Sequence, residues 1–290
     1  MRNEKEMYDM LINIAQLDKR IKAIYMNGSR TNKNVFKDIF QDYDVVYFVE
    51  ETKPFIDDKE WINQFGDIWY MQFPDEHPDY PSDKENFYGW LMQFRDGNRI
   101  DLHVESIEYA RANIKKDKLC KILLDKYGVL PIIVESTDED YYAKKPTKEQ
   151  FICTCTEFWW CLNNVAKGLW REEIPYANDM INFCVRKQLE KMIVWKIGLK
   201  TNYSVSVGKS EKYMYKWLPK EEYEIYLSTF SCGDVQNCWE SVFKMINLFK
   251  AIAREVADGL GYQYNYYEEN AGTEFLQLVH KLPKDAQEIC

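Results

Sequence analysis

Asp42 and Asp44 flank Tyr43 at the mouth of the apolar run Val45-Val46-Tyr47-Phe48-Val49. Residues two apart on a strand leave the same face, so the two carboxylates project together. Their mutual repulsion is most readily offset by bound divalent cations. Upstream, Gly28-Ser29-Arg30 follows the strand-like segment Ala23-Ile24-Tyr25-Met26-Asn27. Such a turn presents backbone N–H groups and a hydroxyl to an anion. A third carboxylate, Asp101, lies in Arg99-Ile100-Asp101-Leu102-His103-Val104-Glu105. Alternation there sets Ile100, Leu102 and Val104 on one face and Asp101, His103 and Glu105 on the other. If this strand lies near the one starting at Asp42, three carboxylates converge. Two can hold Mg²⁺, and the third binds metal or takes a proton from an attacking hydroxyl. Alone, Gly-Ser is an ordinary turn and Asp-x-Asp an ordinary exposed strand. Together, metal-holding carboxylates beside a phosphate cradle imply a nucleotide and transfer of part of it. The sequence contains neither the dinucleotide-binding glycine fingerprint nor a P-loop, which removes the commonest competing nucleotide folds.

The elements that must position these groups alternate in the first half of the chain. Residues 3–18 carry Met7, Met10, Leu11, Ile14 and Leu17 at a helical period. Strands are expected at 21–27, 43–49, 67–73, 87–94 and 99–105, with a helix over 57–65 and a proline-rich acidic loop over 73–83. Asp96-Gly97-Asn98 separates two strand-like runs as a hairpin turn does. Between about 134 and 148 the composition turns acidic and polar, marking a domain boundary, and Thr147 with Gln150 forms a capping-box pair. Beyond it the chain reads as helices over 148–167, 175–199, 219–228 and 234–258, the last stopped by Gly259 and Gly261, with a final helix near 271–282. The fold class is therefore α+β, a small mixed sheet with flanking helices beside a helical bundle.

Hydrophobic residues make up 46% of the 290 residues and aromatics 16%, enough for packed cores rather than disorder. No apolar run approaches a membrane span and the charged N-terminus is unlike a signal peptide, so a soluble, cytoplasmic protein with no membrane partner is expected. The eight cysteines form no C-x-x-C pair and accompany only three histidines, which favours reduced thiols over a structural zinc. A net charge of −9 disfavours nucleic acid as partner and suits a cationic one.

The Gly-Ser, Asp-x-Asp and later acidic residue, in that order, resemble the nucleotidyltransferase superfamily that includes DNA polymerase β. The resemblance extends to the aminoglycoside 6-adenylyltransferases, also called streptomycin adenylyltransferases, over nearly the whole length. Strings that carry it are Gly28-Ser29-Arg30-Thr31-Asn32, Phe40-Gln41-Asp42-Tyr43-Asp44, Trp61-Ile62-Asn63-Gln64-Phe65-Gly66 and Ile100-Asp101-Leu102. In the second half they are Glu157-Phe158-Trp159, Lys167-Gly168-Leu169-Trp170-Arg171-Glu172-Glu173-Ile174, Trp195-Lys196 and Ser206-Val207-Gly208-Lys209. Little matches after about residue 265.

The resemblance implies an N-terminal nucleotidyltransferase domain, residues 1–140, and a helical acceptor-binding domain, residues 141–290. It implies Mg²⁺-dependent transfer of AMP from ATP to a hydroxyl of streptomycin, the 6-OH, with release of pyrophosphate, and hence antibiotic resistance. Other acceptors, or a non-catalytic nucleotide-binding relative, are the alternatives. Asp42 and Asp44 are the expected metal ligands. Asp101 is the expected base with a share of the metal, and Glu105 replaces it if the strand register differs. Gly28 and Ser29 are expected at the triphosphate. Arg30 either joins them or pairs with a nearby acid. Lys209 is expected at the phosphates, with Tyr213 a weaker candidate. The acceptor's guanidinium groups call for carboxylates and aromatic faces, for which Glu157, Trp159, Glu173 and Asp179 are the candidates. Lys187, Lys191 and Lys196 read as a solvated or salt-bridged helix face.

Overall fold

A computed structural model describes residues 1–289. It divides into two compact units, Met1–Asp140 and the chain from Tyr141 onward. In the first, helix α1 (Glu4–Leu17) opens with a capping box between Asn3 and Glu6. The strands are β1 (Ile21–Asn27), β2 (Tyr43–Val49), β3 (Ile68–Gln72), β4 (Phe87–Phe94), β5 (Arg99–Ser106) and β6 (Cys120–Asp125), in sheet order β3-β4-β5-β2-β1-β6. β2 and β5 run parallel, and every other neighbouring pair is antiparallel. The central strands β1 and β2 are buried on both faces, which is why they read as near-continuous apolar runs. One face packs Tyr43, Val45, Tyr47, Ile100 and Leu102 against Met7 and Leu11 of α1. The other carries a smaller cluster of Ala23, Tyr25, Val46, Phe48 and Cys120. That thinner cover leaves the acidic end of β2 and β5 less deeply packed.

Three details differ from the sequence expectation. The helix expected over 57–65 is instead α2 (Lys53–Asp57) followed by a 3₁₀ turn, Trp61–Phe65. Phe55 and Trp61 meet edge to face at 4.9 Å, and Trp61 meets Phe65 at 5.4 Å. One continuous helix would turn Phe55 and Trp61 about 240° apart, so the break lets both rings reach the sheet. Helix α3 (Ile107–Asn113) and strand β6 were not foreseen; β6 mixes exposed and half-buried positions, which hides its alternation. The hairpin between β4 and β5 forms as expected, with Gly97 at φ +90°.

The second unit is helical: α4 (Lys148–Trp170), α5 (Ile174–Asp179), a π-helical segment (Met180–Val185), α6 (Arg186–Thr201), α7 (Lys220–Leu227), α8 (Val235–Leu260) and α9 (Tyr266–Lys281). Thr147 and Gln150 make the expected capping box at α4. Phe158 of α4 stacks on Phe249 of α8 with ring centroids 3.6 Å apart, at the middle of a core that also draws on α6. The helix expected over 175–199 is interrupted by the π segment. α8 runs through Gly259 and ends at Gly261, whose positive φ and N–H bonds to Ala257 and Asp258 close it. α9 begins earlier than expected because Asn265 caps it and its first turns place Glu269 against Arg254. Among the described residues no helix is long and apolar enough to cross a membrane.

Candidate active site

Register decides what the strands bring together. Asn27 of β1 pairs with Asp44 of β2, and Asp44 pairs with Asp101 of β5. Paired residues share a face, so Asp44 and Asp101 stand side by side, with Asp42 at the entrance to β2. Oxygen atoms from Asp42, Asp44 and Asp101 all lie within 4.8 Å of one another. Glu105 is four residues further along β5, roughly 13 Å away at strand rise. It accepts a long hydrogen bond from the Tyr25 hydroxyl (3.4 Å), and burial pushes its carboxyl up to about 7. The observed register therefore sets Asp101, and not Glu105, beside the aspartate pair.

The Gly28 turn is built to make room for that pair. Gly28 sits at φ +75° and ψ −157°, a conformation largely closed to other residues, and starts a 3₁₀ turn, Ser29–Thr31. A Cβ at position 28 would lie 2.1 Å from Asp44 Oδ2. Glycine is thus required first by the carboxylate of Asp44, in addition to any ligand. The turn is held by Gly28 N–H donating to the Leu119 carbonyl (3.2 Å) and by the Thr31 hydroxyl donating to the Gly28 carbonyl (2.9 Å).

Of the two roles open to Arg30, the structure shows contacts within the protein. Its guanidinium donates to the carbonyls of Gln41 (2.6 Å) and Asp42 (2.9 Å), lies over the Tyr43 ring at 3.6 Å and has Glu4 at 3.8 Å. With 7% of its side chain exposed, Arg30 fastens the loop that delivers Asp42. The basic group that does face the carboxylates is Arg99, which the residue pattern did not single out. Its Nε and Nη2 donate to the two oxygens of Asp101 (2.7 and 2.6 Å), and Nε stands 3.9 Å from Asp42. These carboxylates hold the guanidinium more firmly protonated still. The signal was available: Arg99 and Asp101 are two apart on one strand and so share a face.

Three carboxylates whose oxygens lie within 4.8 Å of one another offer hard donors of the kind a divalent cation such as Mg²⁺ takes, alongside water and phosphate. The donor set therefore fits a divalent cation and contains no soft ligand.

In the helical unit, the predicted acceptor residues separate into two kinds. Glu157, Glu173 and Asp179 are exposed. Glu157 accepts from the Cys161 thiol, and Glu173 lies 3.9 Å from Arg171. Trp159 is a correction: it is 5% exposed, packed against Phe158 and Phe249, and so close to Gly272 that a Cβ there would stand 2.6 Å from its ring. It is core. The exposed ring is Trp160, at 68%, three residues after Glu157 and so on its helix face. The buried positions 151, 155, 158, 162, 165 and 169 already placed 159 inside and 160 outside. Lys209 lies exposed at the head of a short turn, Lys209–Glu211, in which Ser210 and Glu211 have positive φ, as does Gly208 just before it. Tyr213 packs against Gly208, where a Cβ would be 2.5 Å from its ring. Lys187 pairs with Glu190 and Lys191 with Gln188, whereas Lys196 is buried between Glu222 and Glu255.

Comparison with known proteins identifies the family. The streptomycin adenylyltransferase family profile matches residues 1–279. An aminoglycoside 6-adenylyltransferase of Campylobacter jejuni is 40% identical over 97% of this chain and 97% of its own length. Proteins of the same name from Bacillus subtilis (strain 168) and Staphylococcus aureus are 38% and 34% identical, each over 93% of this chain and 95% and 96% of their own. With profile and relatives spanning nearly the whole sequence, the chain belongs to the streptomycin adenylyltransferase family of nucleotidyltransferases.

Proposed function

We propose that this chain transfers the adenylyl group of ATP to a hydroxyl of an aminoglycoside, with the 6-OH of streptomycin as the acceptor, and so confers resistance to it. The observation that carries the reading is the convergence of Asp42, Asp44 and Asp101 beside the Gly28 turn. Relatives over nearly the full length are named for the 6-adenylyl reaction, which supports the acceptor class.

In this reading Asp42 and Asp44 hold Mg²⁺, and Asp101 shares it or accepts a proton. The metal, when bound, neutralises charge on the phosphate oxygens and orients them. The acceptor oxygen attacks the α-phosphorus, the bond to the bridging oxygen of the β-phosphate breaks, and pyrophosphate leaves. Asp101 takes the hydroxyl proton, for which it must be ionised. Ser29 donates its hydroxyl and its backbone N–H to the phosphates, the Gly28 N–H being held by the Leu119 carbonyl. Arg30 fixes Asp42 through the two carbonyls it binds. Lys209 is assigned to phosphate charge, and Glu157, Glu173 and Asp179 to the acceptor's cationic groups, with the Trp160 ring as an apolar face.

Purified protein with ATP, Mg²⁺ and a panel of aminoglycosides is the test. Pyrophosphate release with streptomycin, and an AMP adduct at its 6-OH by mass spectrometry and NMR, is the expected result. Release only with another acceptor would overturn the streptomycin assignment while keeping nucleotidyl transfer. No release with any acceptor would overturn the enzymatic reading.

A further inference from the structure

Arg99 leaves β5 on the same face as Asp101 and closes a planar fork on both of its oxygens, 2.7 and 2.6 Å away. Its Nε also stands 3.9 Å from Asp42 Oδ2. A fixed positive charge thus sits where three carboxylates meet within 4.8 Å. Two parallel N–H···O bonds are the strongest arrangement a guanidinium makes with a carboxylate, and they occupy one lone pair on each oxygen and offset its charge, for both of which a cation must compete. A guanidinium does not shed its proton in a protein, so only a competing charge can release Asp101 from it. Arg99 is also 46% exposed, which leaves it a route into solvent that a buried structural arginine lacks.

We propose that Arg99 is a resident counter-ion that competes with the divalent cation for Asp101 and Asp42. The inference rests on the reading of Asp42, Asp44 and Asp101 as the metal carboxylates. Its consequence is an order of events. With Arg99 in place the ligand-free protein resists a bare cation. The site gives way when metal arrives with nucleotide phosphates, which contribute further oxygen ligands and their own binding energy. Arg99 also relieves the repulsion that would otherwise open the Asp42 loop, so the carboxylates stay gathered before the substrate comes.

Titration calorimetry with Mn²⁺ as probe tests this on the full chain. The series is wild type, Arg99→Gln and Asp44→Asn, each without nucleotide and again with α,β-methylene-ATP. Arg99→Gln should tighten Mn²⁺ binding about tenfold in the absence of nucleotide, with a smaller gain when the analogue is present. Its melting temperature should fall without metal and rise more than that of wild type on adding Mn²⁺. Equal or weaker Mn²⁺ affinity in Arg99→Gln than in wild type, or no measurable binding of Mn²⁺ to Arg99→Gln without nucleotide, overturns the counter-ion proposal. The metal reading then still stands if Asp44→Asn abolishes Mn²⁺ binding in the presence of the analogue. If Asp44→Asn binds Mn²⁺ and the analogue as wild type does, the metal reading itself is overturned, and the proposal with it.

Discussion

In the sheet unit three carboxylates crowd within 4.8 Å, and the Arg99 guanidinium forks onto Asp101 and stands 3.9 Å from Asp42. In the helical unit several buried charges have close partners of their own. Lys196, 3% exposed, lies 2.7 Å from Glu222 and 2.6 Å from Glu255. Glu190 accepts from Lys187 (2.7 Å) and the Tyr226 hydroxyl (2.9 Å), and Glu269 accepts from Arg254. Matched charges hold helices together and have nothing left to offer a ligand. A cluster of like charges gathered around one half-exposed guanidinium can exchange that partner for a ligand, which is how a binding site differs from a structural ion pair.

Asp44→Asn breaks the comparison most sharply. It removes one of the converging charges, and we expect kcat to fall about 10³-fold, or about 4 kcal/mol in transition-state stabilisation. The melting temperature should hold or rise, because repulsion is removed. Full activity in this variant would mean that the cluster is not the metal site. Lys196→Ala tests the opposite case. Breaking a buried pair costs about 3 kcal/mol here, the low end of the range, because Glu222 and Glu255 keep some access to water. Denaturant unfolding should show that loss, with kcat unchanged in the folded fraction. A drop in kcat without loss of stability would place Lys196 in the chemistry instead.

Gly28→Ala should come next. The methyl group collides with Asp44 Oδ2 and the residue is held at a strained positive φ, worth about 1–3 kcal/mol of stability. Activity should fall by more than tenfold, since the shift lands on Asp44 itself. Nearly normal kcat/KM would show that the turn can yield without moving the carboxylate.

How far the sequence could reveal these features depended on the range of each interaction. β1, β2, β4 and β5 declared themselves through local alternation and the turn residues between them. The pairing of Asp44 with Asp101 did not, because it joins segments more than fifty residues apart. Nor did the contact of Gly28 with Asp44, which reverses part of the reason for a glycine there. Arg30 was ambiguous because an arginine beside a turn can serve phosphate or carbonyl equally well, and only the path of the 33–41 loop decides. Trp159 was a failure of a different sort. The period of α4 already assigned it to the core, and the chemical appeal of an indole beside Glu157 outweighed the pattern.

Glu105 sharpens the contrast from within the sheet unit, as a carboxyl on the same strand as Asp101 without a cation. Burial raises it from 4.5 to about 7. The folded chain therefore holds a proton that the unfolded chain releases between those values. Stability from this group is complete below pH 4.5, declines as the pH rises, and levels off above 7. Glu105→Gln carries no charge to lose, so it should be more stable than wild type by about 3 kcal/mol at pH 8 and no different at pH 4. A wild-type unfolding free energy with no such decline, measured by urea titration across that range, would remove Glu105 as a buried neutral acid.

Asp179→Asn has the smallest expected effect on the fold and the most specific one on recognition. Asp179 is exposed between α5 and the π segment, where a neutral side chain of the same shape should change stability by less than about 0.5 kcal/mol. If the helical unit's exposed acids receive the acceptor's guanidinium groups, the variant loses one partly solvated charge-assisted hydrogen bond. The KM for streptomycin should then rise several-fold, roughly 1 kcal/mol, while the KM for ATP stays constant. Glu157→Gln and Glu173→Gln serve as parallel cases, with Glu173 expected to matter less because Arg171 lies 3.9 Å from it. Equal KM values across all three variants would reduce these carboxylates to surface charge. An effect on ATP but not on streptomycin would reverse the assignment of recognition between the units.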